Sequence, residues 1–369
     1  MPSNKAAYLE KVHVSPFQVR DAPYTSPGPK EIVIRNRAVA INPIDWILQD
    51  KGDLTFTWIK HPFVLGSDTA GEVVEVGSGI TRFQVGDRVC GLALATDKHY
   101  NRSAEGAFQL YTILQDNMAS PVPATMSYEE ASVIPLGLST AACALFQRDV
   151  LGLQHPKVPT PQPTGKTLLV WGGSTSVGCN AIQLAVAAGY DVITTSSPRN
   201  FELVKKLGAT EAFDYNSPTV VNDIVKAFEG RTSAGALALG KGSADACIDI
   251  LSRCKGDKFV AMATFPLPDP EPTRLVLLQT IIYFVSANIR LSIKSALKGI
   301  KTKFINGSDL AQNEVGKAMF EDFLPHALAN NSYICAPEPQ VFGSGLEMLQ
   351  AACDLQKKGV SAKKIVVTL

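Results

Sequence analysis

A glycine-rich stretch between two apolar runs is the part of this sequence whose residue types most directly indicate chemistry. Residues 168–171 form a short apolar run, Gly172 and Gly173 interrupt it, and apolar residues then recur at helical spacing from Val177 to Ala188. A glycine turn between a buried strand and a helix leaves backbone N–H groups unpaired at the positive end of the helix dipole. Because a pyrophosphate is stabilised at such a position, we predict a dinucleotide site.

The match of this turn to Gly-x-Gly-x-x-Gly is incomplete. Gly173 and Gly178 occupy the outer positions, but Thr175 occupies the middle one. A side chain at that position keeps the backbone farther from the phosphate, while a threonine hydroxyl can donate a hydrogen bond to it. Taken alone, the glycines are equally compatible with an ordinary tight turn in an α/β protein.

The end of the next predicted strand distinguishes between the two nicotinamide dinucleotides. An NAD site places Asp or Glu there, about 20 residues beyond the glycines, to bind the ribose 2′-hydroxyl. This chain instead has Ser196, Ser197, Pro198 and Arg199. Two hydroxyls and a guanidinium suit a 2′-phosphate, since arginine offers a charged fork to phosphate oxygens. The sequence therefore predicts NADPH as the cofactor.

Composition sets broader limits on the function. With 369 residues, 46% hydrophobic and 19% charged, the chain is expected to form two globular domains. A net charge of +1 argues against nucleic acid or an anionic membrane as partner. The first residues lack the apolar core of a signal peptide, and the seven cysteines form no Cys-x-x-Cys pair, so we expect a cytoplasmic protein. The most apolar segment, 275–289, is too short for a membrane span.

The order of predicted elements indicates how the chain is divided. Short β-type segments at 31–36, 71–76 and 88–94 predict a small barrel in residues 1–124. Strand and helix patterns then alternate through 125–310, which predicts a doubly wound parallel sheet. The remaining residues, 311–369, end in a strand pattern that is expected to return to the first domain.

Five sequence stretches together resemble the medium-chain dehydrogenase/reductase superfamily, and within it the zinc-less quinone and enoyl reductases. They are Ala-Ile-Asn-Pro-Ile-Asp-Trp at 40–46, Leu-Gly-Ser-Asp-Thr-Ala-Gly at 65–71, Val-Gly-Asp-Arg-Val at 85–89, Trp-Gly-Gly-Ser-Thr-Ser-Val-Gly at 171–178, and Leu-Gly-Ala at 207–209 followed by Phe-Asp-Tyr at 213–215. The chain is similar to fungal trans-acting enoyl reductases of the lovastatin type and to toxin-cluster oxidoreductases. The resemblance implies an α/β protein in which a GroES-like β-barrel catalytic domain joins a Rossmann cofactor domain.

The resemblance also bears on zinc. Zinc-dependent members carry Cys where this chain has Asp45, and a Gly-His-Glu near residues 65–68, where this chain has Leu-Gly-Ser-Asp. Both the thiolate and the imidazole are therefore missing here, and zinc needs such ligands in a near-tetrahedral set. We therefore expect no metal site.

Site residues follow from the family pattern position by position. The resemblance implies that the pyrophosphate binds at Gly173, Ser174, Thr175, Ser176 and Val177. It implies a 2′-phosphate site formed by Ser196, Ser197, Arg199 and Tyr215. The nicotinamide would contact Asp45, Trp46 and Ile47, and the rest of the cofactor would contact Met262, Ala263, Ser361 and Ala362. Thr140 would lie between nicotinamide and substrate, although a helix-interior threonine is the alternative. Asp45 and Thr140 are the candidate catalytic residues. Residues 275–289 match a variable region that walls the substrate pocket; a buried helix and a subunit contact are the alternatives.

The implied reaction is hydride transfer from NADPH to the β-carbon of an α,β-unsaturated carbonyl. Several relatives carry a lysine at the position of Ile47 as candidate proton donor, and isoleucine cannot replace it. The alternative proton donors are water, Lys51 and Tyr100. The alternative functions are a quinone or carbonyl reductase and a non-catalytic NADPH-binding protein. The resemblance implies a small-molecule or carrier-bound enone as the substrate and a polyketide synthase as a partner. Both a monomer and a homodimer fit the sequence.

Overall fold

The computed structural model describes residues 2–264 and 276–369. The chain forms two compact units, the first comprising Met1–Ser139 and Leu310–Leu369 and the second Thr140–Asp309. The domain boundaries predicted from the sequence, 1–124 with 311–369 and 125–310, differ from this division in the assignment of residues 125–139. Arg88 ties the start of that segment to the first unit, because its guanidinium donates to the Met126 carbonyl at 2.6 Å and stacks on the Tyr128 ring.

Short strands dominate the first part of the chain. The elements are β1 (Asn4–Leu9), β2 (Gln18–Ala22), β3 (Glu31–Ala40), α1 (Pro43–Thr55), β4 (Phe63–Val64), β5 (Asp68–Val76), β6 (Arg88–Leu92), β7 (Tyr111–Gln115), β8 (Ala119–Pro121), α2 (Tyr128–Ser132) and α3 (Pro135–Phe146). The last helix contains the division between the units.

Strands and helices alternate in the second unit, as predicted. The elements are β9 (Lys166–Trp171), α4 (Ser176–Ala187), β10 (Asp191–Ser196), α5 (Phe201–Lys206), β11 (Glu211–Asp214), α6 (Val220–Ala227), β12 (Thr232–Ala238), α7 (Ser243–Leu251), β13 (Lys255–Gly256), β14 (Phe259–Met262), α8 (Val276–Leu297) and β15 (Lys301–Phe304). The C-terminal part adds α9 (Glu314–Lys317), α10 (Leu324–Ala329), β16 (Glu338–Ser344), α11 (Leu349–Lys358) and β17 (Lys363–Thr368).

The sheets of the first unit confirm a GroES-like β architecture. One sheet has the order β16-β17-β3-β5-β6-β8, with β7 also paired to β3, and the other has the order β2-β1-β4. Strand β17 lies antiparallel to β3, with Val366 opposite Ala40, so the predicted return of the C-terminal strand is confirmed. Phe108, Ile32 and Ile34 are among the fully buried side chains that fill this unit.

The second unit is built on a parallel sheet with the order β11-β10-β9-β12-β14-β15. The two-residue strand β13 pairs with β12 beside this row. Without β13, and numbered from its first strand, the order is the 3-2-1-4-5-6 of the Rossmann fold, so the predicted doubly wound sheet is confirmed. Strand β9 is central and fully covered, because Leu168, Leu169 and Val170 are 0% exposed. In such sheets ligands bind at the carboxyl ends of the strands, where the strand order reverses.

Helix α8 begins within the segment 275–289; Leu275 itself lies outside the described residues. The alternative of a buried helix is wrong for the described part of this segment, since residues such as Ile282 and Ile289 are more than half exposed. Within residues 2–264 and 276–369, no helix is long and apolar enough to span a membrane.

Candidate active site

The glycine turn joins β9 to α4 in a tight geometry. Gly172 has a φ of +89°, a left-handed conformation that favours glycine. The Gly173 N–H donates to the Thr195 carbonyl at 2.8 Å, which ties the turn to the end of β10. The amides of Ser176 and Val177 belong to the first turn of α4, where helix geometry provides no intrahelical partner. These amides are therefore suited to bind an anion.

Gly173 and Gly178 leave no room for a side chain. A Cβ at Gly173 would lie 2.1 Å from the Thr194 Oγ1, and a Cβ at Gly178 would lie 2.3 Å from the Gly172 carbonyl oxygen. The second contact brings α4 close against the end of β9, which is the packing role of the last glycine in a dinucleotide turn. Both glycines are therefore required for the tight packing of this turn against β9, β10 and α4.

Thr175 is the N-cap of α4. Its hydroxyl accepts from the Gly178 N–H at 3.0 Å and donates to the Gly172 carbonyl at 2.8 Å. The hydroxyl proton is therefore used inside the turn. The predicted hydrogen bond from this hydroxyl to phosphate stays a prediction and requires the bond to Gly172 to open.

The residues predicted to bind the 2′-phosphate follow the carboxyl ends of β10 and β11. Ser196 is the last residue of β10 and is buried, whereas Arg199 is exposed. The Ser197 Oγ lies 3.1 Å from the Tyr215 Oη, and Tyr215 is 44% exposed. A serine and a tyrosine 18 positions apart in sequence are thus brought together as one exposed pair of hydroxyls.

One carboxylate at this edge was missed by sequence reasoning. Asp214 ends β11 and lies opposite Ser196 in the parallel register. Its Oδ1 accepts from the Asn216 N–H at 3.0 Å and from the Asn216 Nδ2 at 3.2 Å, so the carboxylate stabilises the turn that follows β11. The Phe-Asp-Tyr stretch at 213–215 contains this residue, but only the strand register shows that its carboxylate lies beside Ser196.

The ends of β12 and β14 complete the edge within the second unit. Met262 ends β14, and the N–H of Ala263 donates to the Ala238 carbonyl at 3.2 Å. The Gly240 N–H donates to the Thr264 Oγ1 at 2.7 Å, which holds the two strand ends together. The predicted residues Met262 and Ala263 therefore lie at the same sheet edge as Gly173 and Ser196.

In the first unit, Asp45 belongs to a buried polar network at the start of α1. Its Oδ2 accepts from the Asn42 N–H at 2.7 Å, and Asp45 is only 1% exposed. The Asn42 Nδ2 donates to the Asp68 Oδ2 at 2.9 Å, and the Lys364 Nζ lies 2.8 Å from the same oxygen. Lys364 also donates to the Asn42 side chain. This network links α1 to β5 and β17.

Burial raises the pKa of Asp45 to about 7, and the charge of Asp68 contributes to the rise, although the Asn42 amide and Lys364 oppose it. Its two neighbours in the predicted nicotinamide contact are half-buried. The Trp46 Nε1 donates to the Gln356 Oε1, and the Lys357 ammonium lies 5.7 Å from the centre of the Trp46 ring. Ile47 offers no group that could transfer a proton.

Thr140 lies in the interior of α3 and is half-buried. The neighbouring Ser139 is fully buried, and its Oγ has no hydrogen-bond partner among the described residues. Ala362 precedes β17 with a φ of +50°, which costs a non-glycine residue about 1 kcal/mol. The roles predicted for Thr140, Ser361 and Ala362 stay predictions.

The residues at the position of the zinc site in zinc-dependent relatives do not suit that metal. The local donors are the carboxylates of Asp45 and Asp68 and the hydroxyl of Ser67, and the Lys364 ammonium already contacts Asp68. Zinc beside a buried ammonium would face a like charge, and positions 45, 67 and 68 supply neither a thiolate nor an imidazole to bind it. Among the described residues no group of three or more His, Cys, Asp or Glu side chains could hold a metal ion.

The chain matches two family descriptions, "Alcohol dehydrogenase GroES-like domain" over residues 28–124 and "Zinc-binding dehydrogenase" over residues 176–265. It is 57% identical over 369 residues to the dehydrogenase pigH of Monascus ruber, covering 100% of both chains. It is 34% identical to the trans-enoyl reductase himH of Aspergillus japonicus, covering 99% of this chain and 97% of that one. The chain therefore belongs to the medium-chain dehydrogenase/reductase family, a family of oxidoreductases that use nicotinamide cofactors.

Solved structures agree on the fold. The CurK enoyl reductase superposes with a TM-score of 0.72 at 18% identity, covering 99% of each chain. A quinone oxidoreductase from Coxiella burnetii superposes with a TM-score of 0.68 at 21% identity, covering 100% of each chain. At these identities the likeness establishes the two-domain architecture alone.

Proposed function

We propose that this protein is an NADPH-dependent, zinc-independent reductase that delivers hydride to the β-carbon of an α,β-unsaturated carbonyl. The observation that carries the cofactor assignment is the end of β10, where Ser196 stands in place of an acidic residue and Ser197 pairs with Tyr215 at 3.1 Å. The exposed guanidinium of Arg199 follows within the same turn. The hydroxyls of Ser197 and Tyr215 and the guanidinium of Arg199 favour a phosphorylated ribose over a free 2′-hydroxyl.

The protein's own contribution is to bind and orient the cofactor. The first-turn amides of α4 supply hydrogen bonds and a positive dipole end for the pyrophosphate. Gly173 keeps the turn tight against the end of β10, since a Cβ there would collide with the Thr194 Oγ1. When bound, NADPH supplies the hydride, and the chain holds it in a fixed geometry against the sheet edge.

The proton that completes the reduction needs a source other than Ile47. Tyr100 is half-buried, and burial together with the charges of Glu105 and Asp97 raises its pKa, so it stays protonated at neutral pH. Asp45 is enclosed and holds the Asn42 amide, which favours a positioning role for it over direct proton transfer. We propose water or Tyr100 as the proton source, with Lys51 as the remaining candidate.

The proposed substrate class rests on the names of related proteins and not on the shape of a substrate pocket in this chain. Proteins named trans-enoyl reductases align along nearly the whole chain at 34–35% identity. We therefore propose a small-molecule or carrier-bound enone as substrate and a polyketide synthase as the partner that presents it. Because Ile47 has no proton-donating side chain, a protein that binds NADPH without turnover is the alternative function.

Two measurements test the proposal. Calorimetric titration with NADPH and NADH should give tighter binding of NADPH, and equal or tighter binding of NADH would overturn the cofactor assignment. Oxidation of NADPH in the presence of a panel of enones, with product analysis by NMR, should give a saturated carbonyl. Reduction of the carbonyl or of quinones alone would identify the alternative reductase, and binding of NADPH without any turnover would identify the non-catalytic protein. Activity should persist after treatment with a zinc chelator.

A further inference from the structure

The turn that follows β11 presents one of the two hydroxyls in the exposed Ser197–Tyr215 pair. Asp214 ends the strand, and its main-chain carbonyl accepts from the Ser217 N–H at 3.0 Å, which closes a β-turn over residues 215 and 216. The Asp214 Oδ1 accepts from the N–H and the Nδ2 of Asn216, at 3.0 and 3.2 Å. An aspartate at the first position of a turn stabilises it by this bond to the backbone two residues on. The carboxylate therefore fixes the main chain on both sides of Tyr215.

Both ends of this turn are anchored. At its start, β11 pairs with β10 so that Asp214 lies opposite Ser196. At its end, the Ser217 Oγ lies 3.0 Å from the Thr219 Oγ1, which donates to the Asp223 Oδ2 at 2.7 Å in the first turn of α6. Between these anchors, the hydrogen bonds to the Asp214 carboxylate determine the path of the main chain.

Tyr215 depends on that path for the position of its hydroxyl. The residue is 44% exposed, so packing restrains its ring only in part. Because the hydroxyl lies at the far end of a long, rigid side chain, a small rotation of the turn moves it by more than a hydrogen bond tolerates. Ser197 needs no such support: it is extended, with φ −66° and ψ 146°, and the following Pro198 restricts it to that region.

We propose that Asp214 is a positioning residue for the 2′-phosphate of NADPH, an inference that rests on the proposed NADPH cofactor. The turn that Asp214 stabilises holds the Tyr215 hydroxyl 3.1 Å from the Ser197 Oγ, so that both hydroxyls can donate to one phosphate group. Two donors that are already in place lose little conformational freedom when the phosphate binds. NADH has no phosphate at this position, so the pair, and Asp214 through it, selects for NADPH.

The carboxylate of Asp214 has an opposing effect through its charge. Neighbouring strands lie about 4.8 Å apart, so a phosphate bound beside Ser197 would lie within the ~8 Å screening length of this negative charge. Two substitutions separate the charge from the geometry. Asp214→Asn removes the charge but keeps a side-chain oxygen that accepts from Asn216, whereas Asp214→Ala removes both. The difference between the two variants therefore isolates the positioning role.

Calorimetric titration of both variants with NADPH and NADH tests the proposal. Asp214→Ala should bind NADPH about 3- to 10-fold more weakly than Asp214→Asn, as expected for the loss of one stabilising hydrogen bond, while the two variants should bind NADH equally. Adenosine 2′,5′-bisphosphate should show the same difference and adenosine 5′-monophosphate none, because only the 2′-phosphate meets the hydroxyl pair. Equal NADPH affinities of the two variants, or an equal loss for NADH, would overturn the proposal.

The same comparison in a Tyr215→Phe background shows whether Asp214 acts through the hydroxyl. Without that hydroxyl the Asp214→Ala and Asp214→Asn variants should bind NADPH equally, and a remaining difference would contradict the positioning role. Tyr215→Phe alone should lower the preference for NADPH over NADH. If it does not, the proposed 2′-phosphate site is wrong, and the inference about Asp214 fails with it.

Asp87→Ala is the matched control for lost turn stability. The Asp87 Oδ2 accepts from the Gln84 N–H at 2.9 Å in a turn of the first unit, so this variant loses a bond of the same kind. Its affinity for NADPH should equal that of the unmodified protein. A loss of NADPH affinity in this control would attribute the effect to stability and overturn the positioning role.

Discussion

The ammonium of Lys364 lies 2.8 Å from the carboxylate of Asp68, and the two side chains are only 4% and 0% exposed. The pair joins β17, near the C-terminus, to β5 in the first half of the chain. The other oxygen of Asp68 accepts from the Leu136 N–H at 2.6 Å, so this carboxylate also fixes the start of α3. A single buried charge pair thus fastens three elements of the first unit.

Replacing Lys364 by Met should destabilise the protein by about 3–5 kcal/mol, because Asp68 would remain as an uncompensated buried charge. Chemical denaturation monitored by fluorescence measures the change. Lys363→Met is the matched control, since Lys363 is 41% exposed and pairs with Glu338 at the surface; its loss should cost less than about 1 kcal/mol. Equal effects of the two substitutions would show that the buried pair adds nothing to stability.

Arg199→Ala should weaken NADPH binding about 10-fold, the equivalent of ~1.4 kcal/mol for a lost charge-assisted hydrogen bond. Binding of NADH should stay unchanged, because NADH lacks the 2′-phosphate that the guanidinium would contact. Isothermal titration calorimetry with both dinucleotides measures the difference, and NADH serves as the internal control. A parallel loss for both would indicate that Arg199 acts on a part shared by the two cofactors.

The sheet of the second unit was predictable because its signals are local. The apolar run at 168–171, the glycines after it and the helical spacing from Val177 are all properties of neighbouring residues. The carboxyl edge was also predictable, since parallel strands place their ends together and Ser196 and Met262 end two of them.

The remaining features depend on contacts between residues distant in sequence. Asp214 lies beside Ser196 only because β11 pairs with β10 in that register. Lys364 meets Asp68 only because β17 returns to β3, and nothing in the neighbouring sequence indicates that this lysine is buried. For residues 275–289 the sequence left a pocket wall, a buried helix and a subunit contact as alternatives, because apolar composition alone cannot say which side of a helix packs against the rest of the protein; in the structure residues such as Ile282 and Ile289 are exposed.

Gly173→Ala should reduce NADPH binding at least 10-fold and destabilise the fold by about 1–3 kcal/mol, since the added Cβ would lie 2.1 Å from the Thr194 Oγ1. The second variant, Gly173→Ala/Thr194→Ala, removes that oxygen and should recover part of both losses. Thr194→Ala alone is the control, because Thr194 also donates to the Val170 carbonyl at 2.7 Å. Titration with NADPH and thermal unfolding measure the two effects. If the losses of NADPH binding and of stability in the double variant equal the sum of the losses in the two single variants, the collision is not their cause.

Glu105 is a buried residue of the first unit, and its two carboxylate oxygens differ in their hydrogen bonding. Its Oε1 accepts from the Arg102 Nε at 2.9 Å, while its Oε2 is buried without a hydrogen-bond partner among the described residues. Burial raises the pKa of Glu105 to about 7, although Arg102 opposes the rise. The folded protein therefore holds a proton on this group that the unfolded chain releases near pH 4.5.

Since the folded state binds the extra proton, the contribution of Glu105 to stability falls as pH rises from about 4.5 to about 7, by up to ~3 kcal/mol. Glu105→Gln should remove this fall, so the free energy of unfolding should vary less with pH in that window. Glu31→Gln is the matched control: burial raises the pKa of Glu31, but the Gly28 amide and Arg102 outweigh it and lower the pKa below its usual value. Its substitution should therefore cost stability at neutral pH, and the cost should fade in acid. Urea unfolding from pH 4 to 8 measures both, and an unchanged slope in Glu105→Gln would contradict the assignment.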